Sequence, residues 1–429
     1  MRAIVEKRTV CLRQLGATRA GEKRFGRLLA NPCVTPSEML DTVARLTDRA
    51  AAGRHVLVIQ DTTELNYEAH ARRTRGLGTV GNGTDHGFFL HPLLVMDQDT
   101  ILGLAGAELW QRHQTGRAHR RKRPIQDKEA QRWIAGLERA QATLPSAARI
   151  TVITDSEGDI YELFAAPRQA RTDLLVRVAQ DRRTAHAMGL FAYARALRLA
   201  VGFALDLRAE PGRAARRARL ELRFGTVTIR RPRHGGRHLP ESVTLGLVEV
   251  FEPAPPEGVK GLLWRLLSSH PVSDTATALR VVGLYGRRWM VEPLFRTMKR
   301  QGFDLEQSQL ESAAGLEKMA VLALIAAVRV LQLVQARDGS PHPASHSFAP
   351  EEIAVLAQLG PQLEGRTLAQ TNPHAPGSLA WAGWIIARLG GWKGYARERP
   401  PGPITVLHGL HRFYAMAEGF HLARLVGVP

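Results

Sequence analysis

Three short apolar runs most constrain how this chain folds. HVLVIQ spans residues 55–60, RITVIT spans 149–154 and DLLVRV spans 173–178. Runs of this length, rich in Val, Ile and Leu and without alternation, are typical of strands buried on both faces of a sheet. A helix is predicted between the first two runs, from about residue 127 to 143. The sequence therefore predicts an α/β fold whose core is a mixed sheet flanked by helices.

The rest of the chain divides into segments of different pattern. Polar and apolar residues alternate over 218–234 and again over 241–250. This two-residue period is typical of antiparallel strands with one solvent-exposed face. Helical spacing of apolar residues dominates the N-terminal segment and the chain beyond residue 274. We therefore predict an N-terminal helical segment, a first core part, a β-rich insertion, a second core part and a helical C-terminal region, at residues 1–52, 53–180, 181–258, 259–338 and 345–429.

Two local features are predicted in more detail. The apolar segments 87–97 and 101–112 flank a three-residue turn and predict a β-hairpin. Ser37, which follows Pro36, is predicted to be the N-cap of a helix.

The charge of the chain points to a polyanionic partner. Lys and Arg number 59 against 40 Asp and Glu, a formal net charge of +19. Such an excess on a globular chain favours nucleic acid, with an anionic membrane surface as the competing partner. The basic run 116–124 and Arg177 on the third apolar run are candidate phosphate contacts. We find no signal peptide and no apolar run of transmembrane length, and the two cysteines, too few for a zinc cluster, suit a reducing cytosol.

Two acidic residues follow buried strands directly. Asp61 ends the first run and Asp155 ends the second. Ligands and metals collect at the carboxyl ends of strands in open α/β sheets, so these side chains converge if the two strands are neighbours. The alternative is that each aspartate caps a helix or forms a turn.

A third acid lies in the basic stretch YGRRWMVEPLFRTMK, residues 285–299. On an ideal helix Tyr285, Arg288, Glu292 and Lys299 fall within an arc of about 60°, opposite an apolar face. An ordinary solvated helix face with salt bridges is the alternative. Pro293 directly follows the acid and predicts a kink or a helix start, because proline disfavours α geometry in the residue before it.

Together, Asp61, Asp155 and Glu292 form a candidate carboxylate triad. Such a set suits two Mg²⁺ ions, with Mn²⁺ as a substitute, one activating a nucleophile and the other stabilising a leaving oxygen. Phosphodiester chemistry fits this arrangement. Arg288 and Lys299 would then hold the backbone phosphates beside the scissile bond.

These motifs resemble those of the DDE transposases of bacterial insertion sequences. The resemblance rests on DTT at Asp61, TDSEGDIYEL around Asp155, and the spacing Y-x2-R-x3-E-x6-K that begins at Tyr285. It extends to the early residues Arg24, Phe25, Asn31, Pro32 and Val34, to LLWRLLSSHPV and to GSLAWAGWIIARLGGW at 377–392. The sequence is most similar to the cut-and-paste group that carries the Tyr-Arg-Glu-Lys signature.

This resemblance implies a fold and a reaction. The core would be RNase H-like, with Asp61 on the first strand, Asp155 on the fourth and Glu292 on a late helix. The enzyme would hydrolyse and transfer phosphodiesters at transposon ends, passing through a DNA hairpin from which one base is flipped. Trp264 matches the tryptophan on which that base stacks, and Trp289 would shape its pocket. Tyr285, Arg288 and Lys299 match residues that bind phosphates around the flipped base and the cleavage site.

The resemblance also implies partners and a location. The partners would be the double-stranded DNA of transposon ends and target. The protein would act as a homodimer that joins two ends through its C-terminal helices, without a membrane. The location would be the bacterial cytoplasm, at the nucleoid.

The resemblance implies a longer N-terminal region that reads the terminal repeats, whereas Asp61 occurs early here. We expect either that this region is truncated or that the true start lies upstream. Two alternatives therefore stay open. The chain is a catalytically inactive DNA-binding descendant that inhibits an active copy, or it is a structure-selective RNase H-like nuclease.

Overall fold

The structure is a computed structural model of the full chain. It describes residues 1–71, 73–81, 83–112, 128–207, 215–299, 302–340, 342–395 and 397–425. The basic run 116–124 lies outside these ranges.

The strands of the described residues form one mixed sheet. They are β1 (His55–Gln60), β2 (Thr63–Asn66), β3 (Gly78–Val80), β4 (Asp85–Asp97), β5 (Thr100–Trp110), β6 (Arg149–Thr154), β7 (Thr172–Arg177), β8 (Leu199–Leu207), β9 (Arg216–Arg230), β10 (Ser242–Phe251) and β11 (Leu263–Ser268). Their order is β2-β4-β1-β6-β7-β11-β10-β9-β8, and β3 and β5 also pair with β4. The neighbours β1, β6 and β7 run parallel, and the other pairings are antiparallel.

The three apolar runs are adjacent strands at the centre of this sheet, as their buried patterns predict. Val58 on β1 lies opposite Val152 on β6, which lies opposite Leu174 on β7. Because parallel strands end at the same edge, Asp61 and Asp155 emerge side by side from β1 and β6. The strand pairing thus brings together two acids that are far apart in sequence.

Helices cover both faces of the sheet, so the prediction of a mixed α/β fold is confirmed. They are α1 (Arg2–Lys7), α2 (Leu12–Gly16), α3 (Arg19–Ala30), α4 (Pro36–Ala51), α5 (Gln131–Thr143), α6 (Tyr161–Ala165), α7 (Leu190–Ala196), α8 (Thr275–Gly286), α9 (Val291–Lys299), α10 (Ala313–Ala336), α11 (Pro350–Leu363), α12 (Leu379–Leu389) and α13 (Pro403–Leu425). Side chains of a strand alternate between faces. Val58 therefore joins the core around Trp133 of α5, whereas Ile59 joins the core around Leu324 of α10.

The segment 181–258 extends the central sheet. Its strands β8, β9 and β10 pair in sequence, and β11 joins β10 to β7. The predicted hairpin is also present, since β4 and β5 pair antiparallel with Asp97 opposite Thr100. Strand β11 carries Trp264 into the sheet, next to the end of β7.

Helix α10 corrects one expectation from the sequence. Its 24 residues have a mean hydropathy of 2.0, so it is long and apolar enough to cross a membrane. Within the fold, however, 72% of its apolar window is buried. Burial against sheet and helices accounts for the apolar composition, because a helix enclosed by protein needs no polar face.

The cap of α4 also differs from the prediction. Thr35, not Ser37, is the N-cap, and its hydroxyl accepts the Glu38 N–H at 3.2 Å. The Glu38 carboxylate accepts a hydrogen bond from the Thr35 N–H, which completes a capping box. Pro36 then occupies the first helical position, where its missing N–H costs nothing.

Candidate active site

Asp61 lies at the edge of the sheet directly after β1. Its side chain is 15% exposed, and its carboxylate accepts the Thr62 N–H at 2.8 Å and Arg288 Nη1 at 2.7 Å. Burial raises the pKa of this carboxyl to about 6, and the charges of Asp155 and Glu292 add to the rise. Arg288 opposes that shift without cancelling it. The charges of Asp155 and Glu292 therefore reach Asp61 through a poorly solvated space.

Asp155 occupies the corresponding position after β6. Its carboxylate accepts the Glu157 N–H at 2.9 Å and so caps the short 3-10 helix Ser156–Gly158. The capping role proposed as the alternative for this aspartate is therefore real. It does not remove the acid from the edge, because the charge of Asp155 still acts on Asp61.

The stretch around Glu292 is not one ideal helix, and that assumption was wrong. Helix α8 ends at Gly286, a 3-10 turn covers Arg287–Met290, and α9 begins at Val291. The helix start predicted near Pro293 is thus present. Proline is tolerated there because N–H groups in the first turn have no partner within the helix. The turn leaves Arg288 directed at Asp61 and places Glu292 in the first turn of α9.

Glu292 and Asp61 line the same pocket. It has a volume of about 350 Å³, and its wall is formed by Asp61, Thr62, Thr63, Glu292, Phe295, Arg296 and Lys299. Lys299 Nζ lies 3.3 Å from Glu306 Oε1, so this cation is already ion-paired at the rim. Glu292 has no ion pair or side-chain hydrogen bond within the described part of the chain. The pocket is thus an open, polar space between two of the three candidate acids.

The aromatic candidates differ in their burial, since Tyr285 is buried and Trp289 is exposed. Tyr285 is 2% exposed, and its ring meets Trp264 of β11 edge-on at 5.4 Å. Burial raises the pKa of the Tyr285 phenol, and the nearby charges of Arg288 and Arg177 oppose that shift. Trp289 is 42% exposed. The expectation that the phenol lies on a presented helix face was therefore wrong, because the tyrosine packs inward against the sheet.

The buried polar atoms beside this aromatic pair are incompletely paired. Among the described residues, the buried Tyr285 hydroxyl and Arg288 Nε have no hydrogen bond of ordinary geometry, although the hydroxyl does interact with the Arg288 guanidinium. Buried polar groups with incomplete hydrogen bonding cost free energy, so both groups are destabilising as they stand.

The carboxylates suit a divalent metal in their chemistry but are not gathered around one. In the ranges described, no three His, Cys, Asp or Glu side chains are arranged to hold a metal ion. The Arg288 guanidinium instead supplies the positive charge next to Asp61. Carboxylate oxygens are nevertheless the donors that Mg²⁺ and Mn²⁺ prefer, and Asp61 carries a charge that its surroundings leave undercompensated. The chemistry of these donors therefore suits such an ion, although their arrangement does not enclose one.

One acid in the motif TDSEGDIYEL has a structural role that the sequence did not indicate. This acid is Asp159, which lies between the short 3-10 helix and the N-cap Ile160 of α6. Its side chain is fully buried, with Arg182 Nε at 3.0 Å and the N–H groups of Ala179 and Gln180 at 2.9 and 2.8 Å. The pair ties the loop after β6 to the start of the segment 181–258. No spacing rule signals such a long-range partner.

Comparison with known proteins yields one family match. The family described as a transposase DDE domain matches residues 106–329, slightly more than half of the chain. The matched range contains Asp155 and Glu292, and Asp61 precedes it.

The comparison with solved structures also gives a match. A piggyBac transposase in a synaptic complex with hairpin DNA is 10% identical, with a TM-score of 0.38. The alignment covers 87% of this chain and 54% of that chain, so the present chain spans about half the length of that structure.

Proposed function

The chain belongs to the transposase DDE domain family, and on that premise we propose that it is a DNA transposase whose site is the pocket beside Asp61. Its activity would be hydrolysis of the phosphodiester at a transposon end, followed by transfer of the freed end. One observation carries the proposal. Asp61 and Asp155 follow the neighbouring parallel strands β1 and β6, and Glu292 of α9 lines the same pocket as Asp61.

Asp61, Asp155 and Glu292 would hold the divalent ions that this family generally uses, Mg²⁺ or, as a substitute, Mn²⁺. Bound there, two such ions would activate a nucleophilic oxygen and stabilise the leaving oxygen. Binding would compete with Arg288 for Asp61, because both supply positive charge to one carboxylate. Arg288 would then turn to a phosphate of the DNA.

The remaining candidates would bind the DNA around the scissile bond. Arg288 and Lys299 border the carboxylates and would pair with phosphate oxygens. The charge of Arg177, like that of Arg288, opposes the rise of the pKa of the Tyr285 phenol. Arg177 would bind the next phosphate. The buried hydroxyl of Tyr285 would donate to a phosphate that enters the cleft.

The aromatic pair would serve a flipped base. Unstacking a base costs a few kcal/mol, and stacking on an aromatic ring recovers part of that cost. Trp264 is only partly buried and lies against Tyr285, so one of its faces would be available to a base. The exposed Trp289 would close the pocket from the solvent side. This assignment entails a hairpin intermediate.

Several finer assignments belong to the same proposal. We assign the core to the RNase H-like class, because Asp61 follows the first strand and Asp155 follows the strand that pairs parallel to it. We assign the chain to the Tyr-Arg-Glu-Lys group of bacterial insertion sequences on the spacing that begins at Tyr285. A homodimer acting on double-stranded DNA at the nucleoid in the cytoplasm completes the assignment, and the net charge of +19 supports the DNA partner.

Cleavage of a DNA fragment that carries the inverted repeats flanking the gene tests the proposal. Wild type is expected to cut at the repeat ends only with Mg²⁺ or Mn²⁺. Asp61→Asn, Asp155→Asn and Glu292→Gln should each abolish cutting and retain DNA binding in a gel-shift assay. Asp338→Asn, at an acid 73% exposed and paired with its neighbour Arg337, is the matched control and should cut normally.

Each other outcome rejects a definite part of the proposal. DNA binding without cutting by wild type would identify an inactive DNA-binding descendant. Cutting of hairpin DNA without strand transfer would identify a structure-selective nuclease. Metal-dependent cutting that survives in any of the three acid variants would reject the carboxylate triad.

A further inference from the structure

Arg132 is a nearly buried cation close to the site, and the chemistry proposed above does not use it. It lies in the first turn of α5, and its side chain is 10% exposed. Its guanidinium carbon is 5.2 Å from the ring centre of Trp110 and 5.1 Å from that of Trp133. Two aromatic rings beside the cation offset part of the cost of its burial and restrict its orientation.

The guanidinium of Arg132 binds both loops that carry the aspartates. Nε donates to the Thr62 hydroxyl at 3.1 Å, and Nη2 donates to Glu157 Oε2 at 2.5 Å. Nη1 donates to the backbone carbonyl of Glu129 at 2.8 Å, which fixes the arginine to the start of its own helix. One planar group thus connects the end of β1, the end of β6 and α5.

Two of the three partners of Arg132, Thr62 and Glu157, are the residues whose backbone N–H groups bind the aspartates. The Thr62 N–H donates to Asp61 Oδ1 at 2.8 Å. The Glu157 N–H donates to Asp155 Oδ1 at 2.9 Å. A movement of Arg132 would therefore reach both carboxylates through these two N–H groups.

A buried chain of hydrogen bonds sets the orientation of the Thr62 hydroxyl. Gln60 donates its Nε2 to the Trp133 carbonyl, so its Oε1 faces His91 Nε2 at 3.0 Å. Burial lowers the pKa of His91 to about 3, so the ring is neutral and carries its proton on Nε2. His91 Nδ1 then accepts the Thr62 hydroxyl proton at 2.9 Å, and the hydroxyl oxygen is left to accept from Arg132.

We propose that Arg132 is a positioning residue that fixes the spacing of Asp61 and Asp155 by binding the neighbour of each. The inference rests on the proposed function for its catalytic meaning. The guanidinium is suited to this task because its donors point in fixed, divergent directions, whereas a lysine ammonium is a single point charge. Residues that orient the groups of a metal site typically change metal affinity or activity 10–100-fold when they are replaced.

Amide hydrogen exchange, measured in EDTA, tests the contacts of Arg132 with Thr62 and Glu157. It requires neither a metal ion nor catalytic activity. In Arg132→Met the amides of Thr62 and Glu157 should both exchange about tenfold faster than in wild type. Arg132→Lys reaches only one partner, so at least one of the two amides should stay unprotected. Arg139→Met is the matched control, because Arg139 lies two turns further along α5 and pairs with Asp41; it should leave both amides protected.

Thr62→Val tests the same connection with the arginine in place. The valine lacks the hydroxyl, so exchange should accelerate at residue 62 and stay unchanged at Glu157, and Thr62→Ser should restore protection. These variants answer the question if Arg132→Met does not fold. Unchanged exchange at Thr62 in the valine variant, or full protection of both amides in Arg132→Lys, would overturn the proposal.

Cleavage assays connect the positioning role to the reaction. The Mg²⁺ concentration for half-maximal cutting should rise about tenfold or more in Arg132→Met and stay unchanged in Arg139→Met. If wild type does not cut, the proposed function fails while the exchange measurement still tests the connection. If wild type cuts and folded Arg132→Met keeps both its amide protection and its Mg²⁺ requirement, the positioning role fails alone.

Discussion

Replacing Asp61 by asparagine should stabilise the metal-free protein while it abolishes the activity. The carboxylate is buried beside two other acids, and its pKa rises from 3.8 to about 6. A shift of about two pH units corresponds to about 3 kcal/mol of destabilisation when the group is ionised. Asparagine has the same shape and still accepts a hydrogen bond from Arg288, but it carries no charge. We therefore expect Asp61→Asn to unfold with a free energy roughly 2–3 kcal/mol higher at pH 8.

The pH dependence of this difference identifies its cause. Between about pH 4 and pH 6 the folded state holds a proton on Asp61 that the unfolded chain has released. The contribution of Asp61 to the free energy of unfolding therefore falls as the pH rises through that window, and the loss is complete above it. The advantage of the asparagine variant should be largest at pH 7–8 and approach zero near pH 4.

Urea unfolding in EDTA, followed by circular dichroism at several pH values, measures both quantities. Asp338→Asn, at a largely exposed acid, should show no comparable difference at any pH. Added Mg²⁺ should stabilise wild type more than Asp61→Asn, because the ion would neutralise the charge that the variant lacks. A variant less stable than wild type at pH 8, or an advantage that does not shrink on acidification, would refute the reasoning.

Three further predictions follow from buried groups elsewhere. Asp159→Ala leaves Arg182 buried without its carboxylate, so the free energy of unfolding in urea should fall by about 3–5 kcal/mol; a loss below 1 kcal/mol would contradict it. Tyr285→Phe removes a buried hydroxyl that makes no hydrogen bond of ordinary geometry, so thermal stability should change little while affinity for hairpin DNA falls; unchanged affinity would argue against the phosphate contact. Burial lowers the pKa of His270 to about 4, so the stability of wild type relative to His270→Gln should fall by up to about 3 kcal/mol between pH 6.5 and 4 in parallel urea titrations; a difference that does not change with pH would refute this.

The central sheet and two of the candidate acids could be predicted from the sequence because the signal is local. A run such as HVLVIQ or RITVIT places Val, Ile or Leu side chains on both faces, and only a strand covered on both sides buries them all. The residue after each run then lies at the edge of the sheet, whatever the rest of the chain does. The local capping signal was present as well: Thr35 and Glu38 around Pro36 satisfy the capping-box spacing, which was missed in favour of Ser37.

The ion pairing and the pKa values of the site depend on the tertiary structure. Asp61 pairs with Arg288, 227 positions away, and no periodicity in either segment specifies that contact. The turn at Arg287–Met290 sends Tyr285 inward and Arg288 toward the acid, where an ideal helix would place both on one face. The sequence alone thus determined which side chains are buried on folding and which acids lie at the strand ends, because both follow from local spacing. The partner and pKa of each buried charge depend on distances between remote segments, and only the folded chain sets those distances.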